Sequence, residues 1–198
     1  MKGDTTTNTP EIVFARGKRI ILRPLLKRDI PQLLQWINDT EITQYLMAHL
    51  PITEAQEEKW FESLSTRSDT DVVFAITTLD GKLIGNMGIR AINWKDRTAS
   101  TGALIGDKDY WGKGYGTEAK MLILNYAFNT LNLRKITSSV LAFNKRSHAY
   151  LKKCGYAEEG TRKRQFFVRG RYVDEILLAV FKKDWQPIWQ EYKKEYLS

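Results

Sequence analysis

The amino-acid sequence predicts an α+β domain built on a mixed, mostly antiparallel sheet with helices against it. Three observations lead there. Short apolar runs of strand character alternate with stretches that carry a helical stripe. Leu79-Asp80-Gly81-Lys82 and Arg169-Gly170-Arg171 join such runs as hairpin turns. A glycine-rich segment, Asp109 to Ala119, stands between an apolar strand, Thr101 to Ile105, and a helical run, Lys120 to Phe128.

In chain order, Arg19 to Pro24 reads as a first strand, ended by proline. Lys27 to Trp36 places Ile30, Leu33, Leu34 and Ile37 on a helical stripe, with Pro31 in the first turn, where its missing N–H does no harm. Glu41 to Leu46 is a short second piece, and Thr53 with Gln56 has capping-box spacing for a third helix carrying Trp60, Phe61 and Leu64. Strands follow at Asp71–Thr77 and Leu83–Arg90, around the first hairpin turn. After the glycine segment and its helix come a strand at Arg134–Ala142 and a short helix at Asn144–Lys153, closed by Gly155. Arg164–Val168 and Tyr172–Phe181 form the second hairpin, and Asp184–Tyr196 a terminal helix with Pro187 near its first turn.

A length of 198 residues predicts one domain, expected over residues 16–198 behind a disordered tail over 1–15, of which Met1 to Pro10 are polar and Thr-rich. An apolar share of 42% and a charged share of 27% are those of a soluble globular chain. No apolar run is long enough for a membrane span, and the first residues lack a secretory signal. With one cysteine, Cys154, no internal disulfide can form, which fits a cytoplasmic protein. His49 and His148, far apart and without a second cysteine, argue against a zinc site. The net charge of +8 suits a nucleic acid, an anionic surface or a polyphosphate ligand, and does not choose among them.

The segment Tyr110-Trp111-Gly112-Lys113-Gly114-Tyr115-Gly116-Thr117 is where chemistry concentrates. A helix start has unpaired N–H groups and a positive dipole end. Glycines let the backbone approach a ligand closely, and Lys113 adds charge. Together they read as a phosphate cradle; a plain structural turn is the alternative. The second constellation is Asn144-Lys145-Arg146-Ser147-His148-Ala149-Tyr150-Leu151 through Gly155-Tyr156, where Asn144 caps a helix.

These two motifs, in this order and with a strand between them, resemble the GNAT N-acetyltransferases, and most closely their RimJ/RimL-like branch. Trp111 replaces the Arg or Gln of the general loop motif, a departure that branch shares. The resemblance covers roughly residues 19–183. It implies a GNAT fold in which the strand before the loop and the strand after its helix splay apart to hold the pantetheine arm of acetyl-coenzyme A. The reaction implied is direct acetyl transfer to a primary amine, of a ribosomal or other protein N-terminus or of a small molecule, with no metal. Backbone groups near Leu104 and Ile105 would orient the pantetheine, the loop Trp111–Thr117 the pyrophosphate, and Asn144 would contact the cofactor.

A hydroxyl on the second helix protonates the leaving thiolate in this family. The usual tyrosine position holds Leu151 here; likeness to the RimJ/RimL-like branch implies that Ser147, one turn earlier on the same face, takes the role, with a plain hydrogen bond to the backbone as the alternative. Tyr150 would point about 100° away from Leu151. The carboxylate that many relatives carry in the preceding strand is replaced by Ser100. Asp71, Glu54 and Glu57 are substitutes by charge, and all three read as surface carboxylates; Glu118 reads as structural.

The resemblance places acceptors on the early helices, about Trp36 to Leu64, where Glu41, Glu54, Glu57 and Glu58 stand. The basic run Arg162-Lys163-Arg164 with Arg169 and Arg171 reads as a solvated hairpin, because Phe166 and Phe167 must face opposite ways. That reading does not favour nucleic acid as a partner, and an oligomer stays open. Two rival classes are a non-catalytic acyl-coenzyme A sensor or scaffold and a basic RNA- or ribosome-binding module.

Overall fold

A computed structural model describes residues 12–46 and 50–196; His49 and residues 1–11 of the expected tail lie outside it. The strands are β1 (Ala15–Arg16), β2 (Ile20–Pro24), β3 (Val72–Thr78), β4 (Leu83–Asn93), β5 (Thr98–Ile105), β6 (Lys135–Leu141), β7 (Ala157–Val168) and β8 (Arg171–Phe181). The helices are α1 (Ile30–Ile37), α2 (Thr40–Thr43), α3 (Glu54–Thr66), α4 (Tyr115–Asn125), α5 (Lys145–Lys153) and α6 (Lys182–Tyr196). The eight strands form one sheet in the order β1-β2-β3-β4-β5-β6-β8-β7. Every neighbouring pair is antiparallel except β5 and β6.

Side-chain alternation assigns the two faces of the sheet. On β3, Phe74 and Ile76 join the main core with Met121, Ile123 and Phe128 of the α4 side. Ala75 between them joins Leu33, Trp36 and Ile42 of α1 and α2. The early helices and α4 therefore cover opposite faces. Arg23 and Asp29, both buried, form a two-pronged ion pair at 2.7 and 2.8 Å that ties β2 to the start of α1.

The capping box stands as expected: Thr53 Oγ1 accepts from Gln56 N at 3.3 Å, and Gln56 Oε1 accepts from Thr53 N at 2.9 Å. Thr53→Ala should cost about 1 kcal/mol, read as a lower urea midpoint with an unchanged slope.

Several boundaries move. Ile12–Ala15, assigned to the tail, includes Phe14, whose N–H donates to Leu22 O and whose ring packs on Phe74 at 4.4 Å. The helix expected from Lys120 begins at Tyr115, and its far end widens into π-type bonding over Tyr126–Thr130. β7 starts at Ala157, well before Arg164; its residues are mostly exposed and interrupted by register shifts, so no alternation marks it. α6 begins at Lys182, directly off β8, which leaves Pro187 inside the helix rather than in its first turn.

The register of β5 and β6 positions the site. β5 and β6 pair only where Thr98–Ser100 meet Lys135–Thr137. Beyond that, Thr101–Ile105 keep their β4 partners and Ser138–Leu141 keep their β8 partners. The two strands must diverge, and a gap opens between them.

Candidate active site

The glycine loop lies at the open end of that gap. Gly112 and Gly114 take φ of +72° and +86°, which glycine adopts without strain, and Gly114 caps α4. The first α4-type bond runs from Glu118 N to Gly114 O. The N–H groups of Gly112, Lys113, Gly114, Tyr115, Gly116 and Thr117 find no protein acceptor among the described residues. A Cβ on Gly112 would meet nothing within 4 Å. Six donors in succession at a positive helix end make an anion cradle.

Arg19 braces this loop, and sequence reading missed it. Its Nη1 donates to Lys113 O at 2.9 Å and its guanidinium lies over Tyr115 at 4.4 Å. Glu118 accepts from Arg19 N at 2.8 Å and from Arg19 Nε at 2.9 Å. Glu118 is structural as expected, through Arg19 rather than through helix N–H groups. Holding the Lys113 carbonyl also fixes the peptide plane that carries the Gly114 N–H. No short-range signal announces a contact across that much sequence.

The strand wall differs in detail from expectation. Thr101 O accepts from Ser138 Oγ across the gap at 3.1 Å, and Ile105 O accepts from Trp111 Nε1 at 2.6 Å. By alternation, Ala103 is the residue between them whose main chain faces the gap with no partner. Leu104 carries its carbonyl toward Gly85 of β4, so its main chain is committed to the sheet and not to the gap. Trp111 closes one side, with the Arg146 guanidinium over its ring at 4.0 Å and over Tyr45 at 5.1 Å.

The opposite wall is α5. Asn144 is buried, and its Oδ1 accepts from Ser147 N at 3.1 Å, the capping role its position predicts. Ser147 lines the cleft, and its hydroxyl makes no hydrogen bond within the described protein. Tyr150 lines the cleft as well, and so does Leu151, itself fully buried, so the angle between them does not take Tyr150 out of the cleft. Leu151 also packs in the main core. Burial pushes the Tyr150 phenol well above its ordinary range and keeps it protonated.

The whole cleft holds about 1130 Å³ and runs from the loop past Ser147 to the early helices. Of the substitute carboxylates, Asp71 is tied to Arg67 and to Ala91 N at 2.9 Å each, and Glu54 is exposed. Glu57 breaks the expectation of a surface group. It is 8% exposed and lines the cleft, and burial raises its carboxyl above the usual range. The basic hairpin is partly neutralised: Arg162 pairs with buried Glu175 at 3.0 Å and Lys163 with Asp174 at 2.9 Å.

A splayed parallel pair, an anion cradle at its mouth and a hydroxyl-bearing helix across it define an acyl-coenzyme A-dependent transferase. The acetyltransferase (GNAT) domain model matches residues 19–157. The chain is 31% identical to the probable N-acetyltransferase YjcK of Bacillus subtilis over 177 residues, 85% of this chain and 97% of that one. It is 26% identical to the spermidine N(1)-acetyltransferase of Escherichia coli over 166 residues, 81% and 85% of the two chains.

Among solved structures, spermidine N-acetyltransferase from Vibrio cholerae, in complex with CoA and spermine, superposes with a TM-score of 0.79 at 24% identity, covering 84% of this chain and 98% of that one. Mycobacterium smegmatis RimJ, in complex with CoA-disulfide, gives the same TM-score of 0.79 at 20% identity, covering 91% and 92%. At those identities the two share the fold. The chain belongs to the GNAT acetyltransferase family.

Proposed function

We propose that this chain transfers acetyl from acetyl-coenzyme A to a primary amine, in the manner of the RimJ/RimL-like branch. The acceptor is a protein N-terminus, such as that of a ribosomal protein, or a small amine. The observation that carries the reading is the run of unpartnered amides from Gly112 to Thr117 at the mouth of the β5–β6 gap. These donors fit a pyrophosphate, with Lys113 adding charge. The free main chain of Ala103 and the N–H of Ile105 suit the amides of a pantetheine arm laid along β5, where they would set the thioester against α5. Asn144 and Ser147 then border the sulfur, and Ser147 donates the proton that the thiolate needs on leaving. The thiolate also forms near the N-terminus of α5, where the dipole favours negative charge. The cytoplasm supplies acetyl-coenzyme A and keeps Cys154 reduced.

The test is thiol release from acetyl-coenzyme A across spermidine, other small amines and N-terminal peptides, beside calorimetric titration with coenzyme A. Turnover with one acceptor class supports the transferase. Binding without turnover favours a sensor, and no binding overturns the reading. Gly114→Val places a branched side chain at φ +86°, with its Cβ 3.2 Å from Arg19 Nη2. It should weaken coenzyme A binding at least tenfold by calorimetry, and unchanged affinity would remove the loop from the cofactor site.

A further inference from the structure

The carboxylate that would deprotonate the acceptor is missing from β5, where Ser100 faces the cleft, and the cleft contains another. Glu57 stands in the first turn of α3, just past the capping box of Thr53 and Gln56 that sets where the helix begins. More than nine-tenths of it is buried, yet its side chain makes no hydrogen bond and no ion pair with any described residue. A carboxylate taken out of water and left without a partner is unfavourable. The other buried carboxylates among the described residues are all tied: Asp29 to Arg23, Glu118 to Arg19 and Glu175 to Arg162. Glu57 is the exception, and it opens into the cleft from the wall of early helices.

We infer that Glu57 receives the ammonium group of a cationic primary amine and takes its proton. This rests on the acetyl transfer proposed above. An arriving ammonium supplies the charge partner that the protein withholds, which accounts for the carboxylate standing alone. Attack requires a neutral amine, so the ammonium gives one proton to Glu57. Its nitrogen forms a bond to the thioester carbonyl carbon while the carbon–sulfur bond breaks. A second proton leaves the nitrogen, and the sulfur gains one through Ser147. The sum is an N-acetyl amine, free thiol and one proton, which Glu57 passes to solvent. Burial moves the Glu57 carboxyl toward neutrality, the direction in which a carboxylate becomes a better base.

The charged and titratable groups facing the same cleft are Arg90 from β4, Arg146, Tyr150 and Lys153 from α5, Glu159 and Arg162 from β7, Glu175 from β8, and Tyr45 and Tyr110. Glu175 is held by Arg162, and its carboxylate is therefore committed.

The experiment compares Glu57→Gln with the wild-type chain, using spermidine and an alanine-initiated hexapeptide as acceptors. With the acceptor that the wild type acetylates, the variant should lose about 100-fold or more in kcat/KM. Coenzyme A affinity should change less than twofold. The wild-type kcat/KM should fall on the acid side as Glu57 takes its proton, and the variant should lack that limb. Glu57→Asp, which keeps the charge, should retain the limb at reduced rate. A melting temperature of Glu57→Gln no lower than wild type at pH 8 excludes misfolding as the cause, because the change removes an unpartnered buried charge. Retained kcat/KM or a retained acid limb in Glu57→Gln overturns the assignment of Glu57 alone. A wild-type chain that binds coenzyme A and acetylates no amine overturns the transfer reading beneath it.

Discussion

Ser147→Ala should lower kcat about 100-fold or more while leaving coenzyme A affinity within twofold. The cap explains why the position is so well defined. Asn144 Oδ1 holds Ser147 N at 3.1 Å, fixing the serine in the first turn of α5, where it lines the cleft. That hydroxyl makes no hydrogen bond within the described protein, so a backbone-bonding role does not compete for it. On the proposed reading, removing it takes away the proton for the thiolate and leaves untouched the α4 loop, where that reading seats the nucleotide end of the cofactor. A loss confined to kcat is therefore the expected signature.

Tyr150→Phe is the control, because Tyr150 lines the same cleft and its phenol stays protonated. The serine reading expects Tyr150→Phe to cost much less than Ser147→Ala when both are measured at saturating substrate with chemistry rate-limiting. The reverse order would transfer the role to Tyr150.

The motifs were legible because their physics is local. Glycines at a strand-to-helix junction, an Asn at a helix start and a capping box each act within a few residues, and each stands where the sequence places it. The α+β architecture followed from period and turns, because the antiparallel hairpins β3–β4 and β7–β8 are joined by short turns. What escaped depends on distant chain. Arg19 earns its place only when β2 is laid against the start of α4. Glu57 reads as a surface carboxylate until α3 folds over the cleft and buries it. The short strand β1 was merged with the polar residues before it, and its anchor is a single ring, Phe14, against Phe74 and Tyr126. Tyr150 was set aside on its angle from Leu151, and that angle does not say which residues of α5 reach the cleft.

Lys120→Met should make the chain more stable at pH 7. Lys120 sits in the apolar run of α4, fully buried, and its Nζ donates to Thr101 Oγ1 at 2.7 Å. No carboxylate pairs with it among the described residues; the groups around it are Thr101, Cys154 and the rings of Tyr150 and Tyr156. Desolvation lowers its pKa from the ordinary 10.5 to about 8. Below pH 8 both folded and unfolded chains carry the proton, and the folded chain bears the whole cost of burying the charge, on the order of 3 kcal/mol. Between about 8 and 10.5 the folded chain releases its proton first, so this group's penalty shrinks as pH rises and vanishes above 10.5.

Methionine removes the charge and keeps most of the volume, and Thr101 Oγ1 retains Tyr156 Oη at 3.0 Å. With about 1 kcal/mol taken off for the lost hydrogen bond, a net gain of about 2 kcal/mol is expected at pH 7. Cys154, pushed up to about 12, and the raised phenols of Tyr150 and Tyr156 act the other way in alkali. The comparison is therefore the difference between variant and wild type, read by urea unfolding at pH 7 and again at pH 9.5. The advantage should be largest at pH 7 and most of it gone at pH 9.5. A variant less stable at pH 7, or a difference independent of pH, would mean that Lys120 is neutral or compensated when folded. Thr101 stands where β5 leaves β6, its carbonyl held by Ser138 Oγ, so the ammonium sits at the apex of the fork that opens the cofactor gap. A stabilised variant with slower acetyl transfer would place the reason for the buried charge there, in holding that fork, rather than in folding.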